Sequence, residues 1–138
     1  MVTFIFCLDD NGGMMFGGRR QSRDARVFDD IRTVMAETGA KLYILPYSEK
    51  LIAEAGLEHE TVASFESVAG DAICFVENIS VRELLKIADK IVFYRWNRKY
   101  PSDFKVDFKP DECGFKLSST SDFEGKSHEK ITKEVWIK

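Results

Sequence analysis

Histidine is scarce in this 138-residue chain: His59 and His128 are the only two. Neither H-x-H-x-D-H nor H-E-x-x-H is present, which argues against a zinc hydrolase, and no metal is expected. Cysteine is nearly as sparse. Cys7, Cys74 and Cys113 are odd in number and lack C-x-x-C spacing, so they form neither a disulfide framework nor a dithiol motif. Cys7 and Cys74 lie in apolar runs and read as small core residues. No apolar run approaches the ~20 residues of a membrane span. The opening Met1–Asp10 lacks a basic leader and a small-residue cleavage site. The expectation is a cytoplasmic protein with no membrane contact. G-x-G-x-x-G and G-K-[ST] are both missing, which removes the usual Rossmann and P-loop readings. Repeats, low-complexity tracts and linkers are absent too, so residues 1–138 are expected to form a single domain. The net charge of −3 argues against wholesale nucleic-acid binding while leaving room for a local basic patch.

The chain does hold one unusual stretch, from Gly12 to Phe28. Four of its residues are glycine and four of the chain's eight arginines fall in it. It predicts a mobile main chain loaded with fixed positive charge, placed just before a helix.

Val2 to Leu8 is almost continuously apolar, the pattern of a central strand buried on both faces. Ser22 is placed to cap a helix with Asp24 in its first turn. Val27, Phe28, Ile31, Val34 and Met35 recur at helical spacing before Gly39 ends it. Leu42 to Leu45 reads as a second strand closed by Pro46, and Ser48 as the cap of a short helix through Leu51, Ile52 and Ala55. Gly56 to Gly70 follows neither period and reads as irregular. Ala72 to Val76 is a third strand. Ser80 and Glu83 match a capping box for a helix carrying Leu84, Leu85 and Ile87, and Ile91 to Trp96 is a fourth strand. Strands alternating with helices imply parallel neighbours whose ligands collect beyond the strands' carboxyl ends, where the Gly12 loop, Tyr47-Ser48 and Glu77-Asn78 fall. Alternation at Phe115, Leu117 and Ser119, and at Ile131, Val135 and Ile137, predicts an antiparallel hairpin joined through Asp122–Gly125. The fold expected is α/β, mainly parallel, with that hairpin at its end.

Asp24 and Phe28 share a helical face, so the carboxylate can hydrogen-bond a flat heterocycle stacked on the ring. Equally, Asp24 can complement the helix dipole while Phe28 fills the core. Arg19, Arg20, Arg23 and Arg26 can clamp phosphates or carboxylates, or else pair with acids such as Asp9, Asp10, Asp29 and Asp30. Ser48 and the amides after it offer a second anion site. Tyr94 and Trp96, flanked by Arg95, Arg98 and Lys99, can stack a base or pack a core.

Taken together, these pieces resemble dihydrofolate reductase. Leu8-Asp9, Asn11-Gly12-Gly13 and the D-x-x-x-F of Asp24 to Phe28 stand in the places of that family's first strand, flexible loop and helix. Ala88–Phe93 through Tyr100-Pro101-Ser102-Asp103, then Phe115–Ser119 and Ser127–Lys130, look like its late strand, F-P-x-D loop and final hairpin. The resemblance covers about half the chain and implies a three-layer α/β/α domain, as in small, shortened bacterial relatives. It implies that Asp24 binds and helps protonate a pterin, with Phe28 packed on it and NADPH as cofactor. Several positions depart from the family pattern. Glu77-Asn78 replaces the Gly-Gly pair at the cofactor phosphates, Tyr47-Ser48 replaces G-R-x-T, and Tyr94 replaces a threonine behind the carboxylate. The L-P-W segment is absent, and the middle of the chain is too short for the extra adenosine-side strand.

The function expected is therefore binding of a small anionic or heterocyclic, nucleotide- or pterin-like ligand, with reductase activity as one version and Asp24 as its proton relay. Phe28, Arg19, Arg20, Arg23, Tyr47, Ser48, Glu77, Asn78 and Tyr94 are the expected binding residues. The alternative is a non-catalytic RNA- or protein-binding regulatory module using the arginine stretch and Arg95–Lys99.

Overall fold

The computed structural model describes residues 1–138. Its centre is β1 (Val2–Leu8), whose residues alternate strictly between two cores. Val2, Phe4, Phe6 and Leu8 enter one hydrophobic cluster, and Ile5 with Cys7 faces the other. Because side chains alternate every residue along a strand, only a strand covered on both faces can be apolar at every position.

The remaining elements are β2 (Gly13–Phe16), β3 (Arg19–Arg20), α1 (Ala25–Thr38), β4 (Lys41–Ile44), α2 (Glu49–Glu54), β5 (Glu60–Thr61), β6 (Ala72–Phe75), β7 (Lys90–Arg95), β8 (Phe104–Lys105), β9 (Lys116–Phe123) and β10 (Ile131–Ile137). Seven strands form the main sheet in the order β5-β4-β6-β1-β7-β10-β9. The first five are parallel, whereas β10 runs antiparallel to β7 and to β9. This is the α/β domain with a terminal antiparallel hairpin that the sequence implies.

On one face, α1 and α2 press Val27, Phe28, Ile31, Leu51 and Ile52 onto Ile5, Leu42, Ile44, Ile73 and Phe75. The opposite face is covered by Phe65, Val68, Val81, Leu85, Phe108 and Phe115. These come from connecting segments, from the 3-10 turn at Arg82–Ile87, and from the residues on either side of the 3-10 turn at Pro110–Cys113. The three layers are present, but the second outer layer lacks an α-helix. The capping box is not formed: Ser80 Oγ accepts from the Arg82 amide at 3.3 Å rather than from that of Glu83, and donates to Asp107 at 2.6 Å. The chain must also re-enter the sheet at Lys90, leaving room for only a 3-10 turn.

Two further local expectations change. The cap of α1 is Asp24 rather than Ser22, with its side chain accepting from Arg26 N–H; Gly39 ends the helix with φ 71°, as expected. The Gly12–Phe28 stretch is not a loose loop. It folds into a second, three-stranded sheet in the order β3-β2-β8. Gly17 and Gly18, at φ 59° and 75°, make the two-residue turn between Phe16 and Arg19. Two successive positive φ values match the right-handed twist of a hairpin, and glycine adopts them without strain. The glycines therefore shape a hairpin that places Arg20 over the sheet's carboxyl edge.

Candidate functional site

Two buried carboxylates organise that edge. Asp9, directly after β1, accepts from the amides of Asn11 and Gly13 at 2.9 and 2.7 Å through Oδ1. Its Oδ2 accepts from the Tyr100 amide at 3.0 Å and Gln21 Nε2 at 3.2 Å. Burial pushes this carboxyl up, but the amides of Gly13, Tyr100 and Asn11 outweigh it and hold the group below its ordinary range. Asp9 thus ties the β2–β3 hairpin to the segment after β7.

Asp24 is the second. Oδ1 accepts from the Arg26 and Lys126 amides, each at 2.9 Å. Oδ2 accepts from the amides of Ser127 and His128 at 2.7 and 3.2 Å, and pairs with His128 Nδ1 at 2.9 Å. Burial again pushes the carboxyl up; the His128 bond and the Lys126, Arg26 and Ser127 amides prevail and bring it down to about 2. Asp24 is therefore ionised and fully occupied, which changes the role expected of it. It caps α1 and fastens residues 126–128 to the helix, and no lone pair is left for a pterin. The fit leaves no space for a side chain at Gly125, where a Cβ would lie 2.6 Å from His128 O and 2.8 Å from Asp24 Oδ2.

The His128 ring is buried and stacks on Trp96, with centroids 4.5 Å apart and planes 17° from parallel. Its Nε2 meets two hydroxyls, Ser22 Oγ and Tyr100 Oη, each at 3.0 Å. With Nδ1–H facing the Asp24 carboxylate, the single Nε2 is left to be shared between the two hydroxyls.

Beside this cluster, the hairpin meets the ends of β4 and β6. Arg20 forms a fork on Glu77, at 2.8 Å from Nε and 3.1 Å from Nη2. Ser48 Oγ donates to Glu77 Oε1 at 2.7 Å, and the Arg20 amide donates to Tyr47 Oη at 2.9 Å. The guanidinium also lies 4.9 Å from the centre of the Tyr47 ring. The bond from Glu77 holds the Arg20 proton more firmly than usual. Arg20, Tyr47, Ser48 and Glu77 thus converge as expected, but they satisfy one another. Asn78 is exposed at the edge of this network, and Arg19 is exposed on β3.

Tyr94 stands elsewhere. It is fully buried beneath the helical layer, and its hydroxyl donates to Asp30, which also pairs with Lys133 at 2.8 Å. Burial, then the Asp30 charge, pushes its phenol well above the ordinary value. It is a core residue and cannot reach a ligand at the strand ends. The basic-aromatic segment is likewise divided, since Arg95 pairs with Glu134 at 2.8 Å and Trp96 is buried on His128. No three His, Cys, Asp or Glu side chains converge, and no helix is long and apolar enough to cross a membrane.

A groove of about 420 Å³ opens between α1 and α2. Phe28 and Leu51 border its apolar side, while Arg23, Arg32 and Lys126 supply its cations. Arg23 reaches Glu54 at 3.2 Å across exposed surface. Arg32 contacts Asp29 at 3.0 Å and the Ala55 carbonyl at 2.7 Å. Of the residues lining this groove, the sequence singles out Phe28, Asp24 and Arg23 but not Arg32 or Lys126, and it does not bring His128 to Asp24. Asp24 and His128 are 104 residues apart, and no local pattern signals their meeting.

The strand order, the antiparallel final hairpin and the carboxylate at the start of α1 define a dihydrofolate reductase-like fold. The solved structure of dihydrofolate reductase from Enterococcus faecalis, complexed with NADP(H) and RAB-propyl, is similar to this chain with a TM-score of 0.66. The match covers 99% of this chain and 95% of that one at 12% identity, a likeness of fold. No family model matches the sequence, and no curated protein matches it.

Proposed function

We propose that this protein binds a small, flat, anionic ligand in the groove between α1 and α2. The observation that carries the reading is the pairing of an apolar wall, Phe28 and Leu51, with the cations Arg23, Arg32 and Lys126 around one cavity of about 420 Å³. That volume lies in the range of small-molecule sites, and paired guanidinium donors suit carboxylate or phosphate. Arg23 is held by one exposed contact, to Glu54, which a ligand anion displaces at little cost, while Arg32 is oriented toward the groove by Asp29 and the Ala55 carbonyl.

Two features oppose the reaction of the structural neighbour. The Glu77 carboxylate stands at the end of β6, already paired with Arg20 and Ser48, so a dinucleotide pyrophosphate must break that fork or face its charge. The residues present do not fit NADP(H). A pterin must likewise displace one of the five donors on Asp24. The reading favours binding over hydride transfer.

The test is a thermal-shift and calorimetric panel of folate, p-aminobenzoyl-glutamate, adenosine monophosphate, NADPH and a short RNA. Folate or p-aminobenzoyl-glutamate at 100 times its dissociation constant adds roughly 2.7 kcal/mol of stability. Arg32→Ala then weakens binding about tenfold, close to 1.4 kcal/mol. No shift with either aromatic carboxylate at millimolar concentration rejects the reading. A shift with RNA alone that collapses as salt rises moves the protein to the nucleic-acid alternative.

A further inference from the structure

Sharing only Asp24 with the groove, a hydrogen-bonded line crosses the buried edge beside it, from Asp24 Oδ2 to His128 Nδ1 at 2.9 Å and from His128 Nε2 to Ser22 Oγ at 3.0 Å. Its three members differ in exposure in a telling way. The carboxylate and the imidazole are almost completely buried, whereas Ser22 is only half-buried. Ser22 borders a small cleft at the strand ends together with Cys7, Arg20, Glu77 and Trp96.

The hydrogen-bond inventory fixes one proton. An ionised carboxylate only accepts, so Nδ1 carries a hydrogen, and the ring serves as a base in the form whose Nε2 carries none and turns its lone pair toward the hydroxyls. The ring cannot rotate away, because Trp96 stacks on one face and three backbone amides pin Asp24 on the loop side. Asp24 remains a carboxylate at any neutral pH, since its bonds bring it down to about 2. A dry, oriented imidazole with a hydroxyl on its free nitrogen is the arrangement that makes a serine nucleophilic. Arg20 adds the charge needed nearby. It uses two of its five N–H donors on Glu77, which leaves others to meet an oxyanion formed in the cleft.

We propose that Ser22 is the nucleophile of an acyl-transfer site, with His128 as its general base and Asp24 as the positioning residue, acting on esters of short acyl groups. Ser22 Oγ forms a bond to the carbonyl carbon and its proton passes to His128 Nε2. The bond from that carbon to the leaving oxygen breaks, and the leaving oxygen takes the proton from Nε2. Water then attacks the acyl-serine, giving its proton to Nε2, and Ser22 regains a proton as the carboxylic acid departs. The cleft, about 10 Å³, has room for one water-sized atom, so it receives the carbonyl oxygen while the acyl portion stays on the exposed side of Ser22. Tyr100, the second hydroxyl at Nε2, competes with Ser22 for the same lone pair and is the internal control.

The experiment treats the intact, folded protein with a fluorophosphonate probe and with p-nitrophenyl acetate, and maps adducts by peptide mass spectrometry. The expected result is one adduct, on Ser22, with fluoride released in equal amount and nitrophenolate released in excess of the enzyme as the acyl-serine turns over. Ser22→Ala carries none, and His128→Ala labels more slowly by roughly a hundredfold or more. Asp24→Asn is read by labelling and by the nitrogen NMR spectrum of the ring: the wild type shows the Nδ1-protonated tautomer, and the variant loses it as its labelling falls. A folded wild-type protein that carries no adduct overturns the proposal. So does an adduct on Tyr100 instead of Ser22, or a folded His128→Ala protein that labels at the wild-type rate. Failure here leaves the groove between α1 and α2 untouched, since ligand binding there is measured separately.

Discussion

Replacing Asp24 by asparagine tests the proposed architecture most directly. The change is nearly isosteric, but it removes the charge and places an NH2 donor against donors. If the amide nitrogen takes the Oδ2 position it faces the Ser127 and His128 amides and His128 Nδ1; at Oδ1 it faces Arg26 and Lys126. Either choice orphans buried groups, and breaking such a charged hub costs about 3 kcal/mol or more. For a chain of 138 residues that lowers the melting temperature by roughly 10 °C. The pH dependence supplies the sharper check. The folded carboxyl is lowered from 3.8 to about 2, so its contribution is fully present above the unfolded value and is lost as pH falls through the folded one. The wild-type advantage should shrink by about 2 kcal/mol between pH 7 and pH 2. Urea unfolding of both proteins across that range measures it. Taking the difference between them cancels Asp9, which titrates in both. A gap below about 0.5 kcal/mol at pH 7, within ordinary surface-substitution scatter, refutes the assignment of Asp24 as the hub. A gap that stays constant as acid is added refutes the electrostatic explanation.

Gly125→Ala forces a methyl group to within 2.6 Å of His128 O and 2.8 Å of Asp24 Oδ2, and should destabilise the fold by about 1–3 kcal/mol in urea titration. The Arg20–Glu77 fork is partly sheltered from water. A double-mutant cycle with Arg20→Ala and Glu77→Ala should give a coupling of roughly 1–3 kcal/mol, and additive effects contradict the fork. Burial pushes the Cys74 thiol up to about 12, and burial with the Glu77 charge pushes Cys7 up further. Iodoacetamide at pH 8 should therefore modify half-buried Cys113 first, leaving Cys7 and Cys74 protected until denaturant is added; mass spectrometry orders the three.

The local constraints were readable from the chain. A run apolar at every position but Thr3 from Val2 to Leu8 has one stable setting, the middle of a doubly covered sheet. Gly39 was legible as a helix stop because a left-handed C-cap is a local requirement. The D-x-x-x-F pattern at Asp24 and Phe28 picked out the start of α1. The same local logic failed at Ser80, where two local rules agreed on an α-helix and the connection to Lys90 was too short to complete one. It also misread Gly12–Phe28, since glycine signals conformational freedom alike in a loose loop and in a tight hairpin turn.

By itself, then, the sequence determined the six longer strands of the main sheet, the apolar face of α1, and that the charge focus lies beside the sheet's carboxyl edge. These depend on periods of two and 3.6 residues, and each is satisfied within a few neighbours. Tertiary structure alone decided what the charged groups do. Arg20 is drawn to Glu77 across 57 residues, and Asp24 to His128 across 104. A buried charge is stable only with its partner, and partners contributed by different strand ends meet only after the sheet has formed. That closure turned an arginine-rich loop into a bound fork and an expected proton relay into a structural hub. It also brought an isolated serine within hydrogen-bonding distance of a buried histidine.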